Sequence, residues 1–139
     1  MAATFLLELV TPERMLLSEP VRAIRVPGIE GDLGVLAGHA PLMTALDVGL
    51  IKVTYENGDE EFIAESGGFM EVKRDRVVIL CDTAERAADI DVARAEATCA
   101  RTREELASGA ATNYEETAFA LRRATNRLKA VQMNNSPSV

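Results

Sequence analysis

The sequence is poor in the residues on which most catalytic and metal centres depend. Its 139 residues include one histidine, two cysteines and no tryptophan. A single histidine, His39, excludes a metal site built from several histidines. The glycines between Gly28 and Gly38 match neither the dinucleotide-binding spacing nor a phosphate-binding loop, and there is no Gly-x-Ser-x-Gly nucleophile motif. These absences argue against an enzyme that acts alone.

Cysteine and long apolar runs are scarce as well. Two cysteines, Cys81 and Cys99, are too few for a disulfide framework, so we predict reduced thiols in an intracellular protein. No apolar run approaches the roughly 18 residues of a membrane span. The first apolar run, residues 5–7, is broken by Glu8 and lacks a basic flank, so no signal peptide is predicted. We therefore expect no direct membrane insertion, and any membrane association must come through a partner.

Basic charge is also in deficit, and the deficit is unevenly distributed. The chain has 15 basic and 22 acidic side chains and a net charge of −7, which argues against nucleic acid as a partner. Residues 1–83 hold 14 acidic and 7 basic side chains, whereas residues 84–139 hold 8 of each. Because the whole excess lies in the first part, we predict two domains with different roles, 1–83 and 84–139.

The first domain is predicted to consist of short β-strands. Aliphatic and β-branched runs separated by turn residues occupy residues 4–10, 21–26, 50–55, 61–64 and 76–80. Asn57-Gly58 predicts a tight hairpin turn with positive φ at both residues. Residues 77–80 form a continuous apolar run that predicts burial on both sides, and alternation elsewhere predicts a buried face formed by Ile51, Val53, Tyr55, Phe62 and Ala64. This spacing is typical of an antiparallel β-sandwich or flattened barrel.

The second domain is predicted to be an antiparallel two-helix hairpin. Asp89 is expected to cap a first helix that starts at Ile90, buries Ala93, Ala97 and Ala100, and ends at Ser108-Gly109. Asn113 and Glu116 resemble a capping box. The second helix is expected to end at residues 134–137 after an apolar stripe formed by Tyr114, Ala118, Leu121, Thr125 and Leu128. Because both stripes are narrow and rich in alanine, the hairpin is expected to be held weakly and to be the most mobile part.

Two clusters remain as candidate functional sites. The first is the glycine-punctuated segment 27–42, with acidic tips at Glu30 and Asp32 and with His39; either a contact surface or a pair of ordinary turns explains it. The second is formed by arginines of the hairpin, which share helix faces and converge when the hairpin folds: Arg94, Arg101, Arg123 and Arg127. Asp91 lies on the face of Arg94. Spacing alone is consistent with an anion site or with a solvated, salt-bridged surface.

The order of these motifs resembles the epsilon subunit of the F-type ATP synthase, the counterpart of the mitochondrial delta subunit. The resemblance runs from about residue 4 to residue 131, nearly the whole chain. It rests on five stretches of the sequence: residues 27–34, 38–42, 66–72, 90–95 and 123–128.

The resemblance implies a role in the central stalk. Family members are non-catalytic rotor subunits, in which the sandwich binds the gamma subunit and rests on the c-subunit ring, and rotation couples proton flow to ATP synthesis. By position, Glu30, Asp32 and His39 are expected near the c-ring, where acidic tips suit basic loops. The implied location is peripheral, on the cytoplasmic face of the bacterial inner membrane.

The resemblance also implies a regulatory hairpin. In the family the hairpin lies against the sandwich or extends into the alpha/beta head, where it blocks ATP hydrolysis. Some bacterial members bind ATP in the folded state through an Ile/Leu-Asp-x-x-Arg-Ala motif and further arginines. The residues that match this site here are Glu85, Asp91, Arg94, Arg101, Arg123 and Arg127. We therefore expect no required cofactor, and ATP as a regulatory ligand.

Two other classes of protein compete with this interpretation. A free-standing adaptor with a sandwich and a helical tail has the same composition, and co-purification with a gamma-like coiled-coil subunit separates the two. An autonomous nucleotide hydrolase needs a phosphate-binding loop and metal ligands, for which the sequence has no motif. Incubation with ATP and magnesium is expected to release no phosphate.

Overall fold

A computed structural model describes residues 3–135, which form a β-rich part followed by two helices. In this range the strands are β1 (Phe5–Val10), β2 (Met15–Gly28), β3 (Gly31–Leu36), β4 (Leu42–Leu46), β5 (Gly49–Tyr55), β6 (Glu60–Glu65), β7 (Gly68–Val72), β8 (Arg76–Cys81) and β9 (Ala84–Arg86). A 3₁₀ turn (Ala87–Asp89) leads to α1 (Val92–Ser108) and α2 (Tyr114–Asn135). None of these helices is long and apolar enough to cross a membrane.

The strands form one hydrogen-bonded sheet that folds over its own core. The order is β1-β8-β7-β4-β2-β5-β6-β9, with β3 on β2 and a further pairing of β1 with β2. The 14-residue β2 makes this possible because its first half pairs with β1 and its second half with β5 and β3. The predicted fold, a β-sandwich followed by a two-helix hairpin, is confirmed. One strand pair differs from the predicted antiparallel arrangement. Strands β1 and β8 are parallel, and strands β2 to β7 connect them along the chain.

Alternating side chains fill the sandwich core. Ile51 and Val53 of β5 are buried as predicted, and Ile63 of β6 joins them. The prediction that residues 77–80 are buried on both sides is wrong. Val77 and Ile79 face the core, but Leu80 is exposed, because β8 has no second layer over its outer face in the described residues.

The turn between β5 and β6 differs from the predicted type. Gly58 has φ of 92°, but Asn57 does not have positive φ. The N–H of Gly58 donates to the carbonyl of Tyr55, and the N–H of Tyr55 donates to Asp59. This is a type I turn followed by a glycine bulge, so only the glycine needs the left-handed conformation.

The helix boundaries are partly as predicted. Gly109, with φ of 75°, ends α1, and the Asn113 side chain accepts a hydrogen bond from the N–H of Glu116, as expected. The predicted start of α1 is wrong by two residues. Asp91 is the N-cap and accepts from the N–H of Arg94 at 3.0 Å, while Asp89 ends the 3₁₀ turn. The helix α2 reaches Asn135, and the remaining residues of its predicted end lie outside the described range.

The predicted inner face of α1 is also wrong. Ala95, Cys99 and Thr102 are buried, whereas the predicted stripe is exposed from Ala93 onward. The helical period is correct but its phase is not, because alanines occur on both sides of α1 and do not mark the face that meets α2. Both cysteines are free thiols, buried in different parts of the molecule.

The hairpin lies against the sandwich through α2. The apolar contact is small and consists mostly of alanine, with Leu50 and Val131 at its edge around Ala64, Ala87, Ile90 and Ala130. Little apolar area is buried by alanine, so this cluster contributes modestly to docking.

Polar contacts supplement this small cluster. The Asn126 side chain donates to the carbonyls of Gly49 at 2.8 Å and Glu65 at 3.3 Å. Arg122 Nη2 lies 3.2 Å from Asp47 Oδ1 in an exposed ion pair. These contacts hold α2 at the β4–β5 loop and at the end of β6, with α1 on its outer side.

Candidate anion-binding cleft

A cleft of about 450 Å³ opens between the two helices and β9. Its lining includes all six residues that the sequence proposes for nucleotide binding: Glu85, Asp91, Arg94, Arg101, Arg123 and Arg127. They come from β9, from α1 with its N-cap residue, and from α2, and they meet because the hairpin folds back on the sandwich. The volume is in the range typical of small-molecule sites.

Four arginines face three carboxylates in this cleft, so its net charge is positive. Arg127 Nε bonds to Glu85 Oε1 at 2.6 Å, and the Arg123 guanidinium lies 4.7 Å from the ring centroid of Phe119. Arg101 approaches Glu105 only at 3.9 Å. Because guanidinium groups suit phosphate oxygens, the arrangement favours a polyanionic ligand.

Asp91 combines a structural and a candidate binding role. Its Oδ1 caps α1 by accepting from the N–H of Arg94, which leaves Oδ2 for a ligand donor. The cap also fixes the position of the carboxylate at the cleft wall. Besides the arginines, the carboxylates and the Thr98 hydroxyl of the cleft can form hydrogen bonds with parts of a ligand other than phosphate.

Sequence reasoning missed two polar residues of the cleft, Asp89 and Thr98. Thr98 lies four residues after Arg94 and so shares its helix face, a signal that was available in the spacing. Asp89 was assigned to a helix cap, and only the 3₁₀ turn brings it to the cleft. Within residues 3–135 no group of three His, Cys, Asp or Glu side chains is placed to hold a metal ion.

The structure does not bring the three candidate c-ring residues together. Glu30 and Asp32 lie at the tip of the β2–β3 hairpin, where Asp32 is 3.7 Å from Arg25. His39 follows the other end of β3, and its Nδ1 is 2.7 Å from the Ala40 carbonyl oxygen. The length of β3 separates the two ends by about 17 Å. The acidic tip and His39 are therefore not in contact with each other, and a shared position near the c-ring stays a prediction for all three residues.

An apolar patch of three exposed side chains lies on the outer face of strands β4, β7 and β8, next to the half-buried Glu71. Cross-strand pairing sets Phe69 opposite Leu80, and Met43 lies on the same face. Their exposed fractions are 68% for Met43, 58% for Phe69 and 53% for Leu80. Adjacent exposed side chains of this size are typical of a protein contact surface.

Both parts of the fold match one protein family. A β-sandwich followed by a C-terminal two-helix hairpin defines the class of protein to which this fold belongs. Residues 4–87 match the β-sandwich domain of the ATP synthase delta/epsilon chain, and residues 88–132 match its long α-helix domain. The chain belongs to the ATP synthase delta/epsilon family.

Bacterial relatives support the assignment over nearly the full length. The chain is 47% identical to the ATP synthase epsilon chain of Desulforamulus reducens over 95% of this chain and 100% of the relative. It is 50% identical to that of Carboxydothermus hydrogenoformans over 77% of this chain and 79% of the relative.

Solved structures agree with the fold. A chain of the Euglena gracilis mitochondrial ATP synthase, from a structure of OSCP, F1 and the c-ring, matches with a TM-score of 0.81 and 29% identity. The match covers 95% of this chain and 83% of that one. A chain of the Tetrahymena thermophila central stalk and c-ring matches with a TM-score of 0.53 at 16% identity, which supports the fold alone.

Proposed function

We propose that the chain is a non-catalytic rotor subunit of the central stalk, through which rotation couples proton flow to ATP synthesis. The sandwich binds the gamma subunit and rests on the c-ring, which makes the chain a peripheral membrane protein on the cytoplasmic side. The acidic tip at Glu30 and Asp32 supports the c-ring contact, because both side chains are exposed and suit basic loops.

The gamma subunit is proposed to cover the apolar patch of Met43, Phe69 and Leu80. Strands β4, β7 and β8 leave this face without a second layer among the described residues. A stalk subunit must turn together with its neighbours, and apolar burial provides a contact that salt does not weaken. This face is distinct from the hairpin, so gamma contact leaves the hairpin able to move.

We further propose that the hairpin regulates ATP hydrolysis. Docked on the sandwich it permits hydrolysis, and extended into the alpha/beta head it blocks it. ATP favours the docked state by binding in the cleft. The observation that carries this proposal is that six residues from β9, α2 and α1 with its N-cap line one cleft in the docked hairpin.

The free energy of ligand binding is large enough to shift the equilibrium between the docked and extended hairpin. A ligand at 100 times its dissociation constant stabilises the state that it binds by about 2.7 kcal/mol. Moving a population from 1:99 to 99:1 takes about 5.5 kcal/mol. ATP alone therefore shifts a nearly balanced equilibrium between the docked and extended hairpin but does not make the docked state exclusive. We propose that ATP is a regulatory ligand and that the subunit requires no cofactor.

An ATP titration of the isolated protein tests the cleft. Replacing Arg123 with alanine removes a guanidinium from the cleft wall, and we expect ATP to bind at least about tenfold more weakly, since a charged hydrogen bond is worth about 1.5–3 kcal/mol. Calorimetry provides the affinity. The matched control is Arg103→Ala, which removes an exposed arginine of α1 that does not line the cleft. Equal affinity of the Arg123 variant and the wild type would reject the site.

A further inference from the structure

Four residues of α2 that are spaced four apart contact the sandwich, because residues at this spacing lie on one face of a helix. The first, Arg122, and the last, Asn134, form exposed contacts at the two ends of this face. Between them lie the half-buried Asn126 and the fully buried Ala130. Of the three polar residues in this set, Asn126 is therefore the one whose contact is shielded from open solvent.

Asn126 bonds to two acceptors that the sandwich holds at a fixed separation. Its side-chain nitrogen lies 2.8 Å from the carbonyl oxygen of Gly49 and 3.3 Å from that of Glu65. These two residues are cross-strand partners at the start of β5 and the end of β6. Because a carbonyl oxygen cannot donate, the group that faces both acceptors must be the amide nitrogen. The contact therefore needs an amide group at this position of α2.

The apolar part of the same contact does little to fix the position of α2. Its buried members are mostly alanines, with Ala130 as the one on the helix. Alanine buries little area, so this cluster neither binds the helix strongly nor favours one position over its neighbours. A polar group whose hydrogen bonds must be satisfied restricts such a contact to one arrangement, as a single asparagine does in coiled coils.

The cleft arginines of α2 lie on either side of Asn126 in the sequence. Arg123 precedes it by three positions, Arg127 follows it directly, and both line the cleft. Arg127 Nε donates to Glu85 Oε1 of β9 at 2.6 Å, a contact that requires α2 to lie on the sandwich. Because the three helix residues fall within about one turn, the position of Asn126 sets the positions of both guanidinium groups.

We propose that Asn126 is a positioning residue that fixes α2 on the sandwich and thereby holds Arg123 and Arg127 in the cleft. Asn126 does not line the cleft, so it acts through the helix. The inference rests on the proposed function of the cleft, but nucleotide takes no part in it. Loss of both hydrogen bonds is expected to reduce the docked state by about 5- to 150-fold, since each neutral bond contributes modestly and the two are lost together.

Hydrogen exchange of the full chain without nucleotide, followed by nuclear magnetic resonance, tests this role in Asn126→Asp and Asn126→Ala. Aspartate keeps the size of asparagine but has no side-chain N–H, and its charge is repelled by the two carbonyl oxygens. Two groups report the position of α2: the N–H of Phe62, which bonds to Asn134, and the Nε–H of Arg127, which bonds to Glu85. We expect both to lose protection by the same factor, and to lose more in the aspartate variant.

The matched control is Thr125→Ala, the neighbouring position on α2. Its hydroxyl donates to the carbonyl of Leu121 within the same helix, so its removal is expected to leave the protection of Phe62 and Arg127 unchanged. Core amides of β8 are expected to keep their protection in all three variants, which shows that the sandwich remains folded.

Two results would overturn the inference. If Asn126→Asp docks as the wild type does, the side chain only fills space. If Phe62 loses protection while the Nε–H of Arg127 keeps it, docking does not position the cleft. ATP affinity is measured separately. A chain that needs Asn126 for docking but binds no ATP rejects only the nucleotide site, whereas ATP binding with docking that is indifferent to Asn126 rejects this inference alone.

Discussion

Substitution of Gly68 by alanine is expected to destabilise the sandwich by at least about 3 kcal/mol and to lower the melting temperature by about 10 °C or more. Gly68 begins β7, where it pairs with Leu46 and with Cys81. A Cβ at this position would collide with the backbone carbonyl oxygen of Leu80 and lie 2.9 Å from the Cα of Cys81. These atoms belong to a paired strand and cannot move aside as a flexible side chain would.

Thermal unfolding followed by circular dichroism measures this effect. The matched control is Gly34→Ala in β3, where an added Cβ meets no atom within 4 Å. That variant is expected to stay within about 0.5 kcal/mol of the wild type, as surface substitutions usually do. If Gly68→Ala were as stable as the Gly34 variant, the close approach of β7 and β8 would be incorrect.

Substitution of Ala130 by leucine is expected to release the hairpin while the sandwich stays folded. Ala130 is fully buried in the small cluster between α2 and the sandwich. Added methylene groups in a packed site cost about 1–3 kcal/mol, which corresponds to a 5- to 150-fold loss of the docked state. Because the apolar contact between α2 and the sandwich is small, we expect this cost to undock the hairpin.

Amide hydrogen exchange detects the release. The N–H of Phe62 donates to the Asn134 side chain across the contact, so its protection should fall in Ala130→Leu, while core amides of β8 keep theirs. Leucine at the exposed Ala107 of α1 is the control and should leave both unchanged. Wild-type protection of Phe62 in Ala130→Leu would contradict the docking contact.

The strands that the sequence predicts correctly are those with local signals. Runs such as residues 50–55, which are rich in β-branched and aromatic residues, favour a strand from their local composition. The sequence does not predict strands β3, β4, β7 and β9, and in β3 and β7 the reason is that glycines such as Gly31, Gly34 and Gly68 are typical of turns. Their extended conformation comes from pairing with neighbouring strands, which are distant along the chain for β4 and β7.

In the candidate site, too, the residues with a local sequence signal are predicted and those placed by tertiary packing are not. Helical spacing placed Arg94 with Arg101 and Arg123 with Arg127, because residues four or seven apart share a helix face. Asp89 was assigned to a helix cap, and the separation of His39 from the acidic tip depends on strand β3, which the sequence did not reveal. The docking contact of Asn126 has no local sequence signal, because its two acceptors are backbone carbonyls of β5 and β6 that only packing brings to α2.

If movement of the hairpin regulates ATP hydrolysis, a hairpin that is locked against the sandwich can no longer inhibit. Cysteines at Asp47 and Arg122, whose exposed side chains meet at 3.2 Å, can be joined by a short bismaleimide while the native cysteines stay buried. The linked chain is then assembled into ATP synthase and ATP hydrolysis is measured. We expect the linked chain to lose the inhibition that the unlinked double variant exerts. Equal inhibition by the linked and unlinked chains would contradict regulation by hairpin movement.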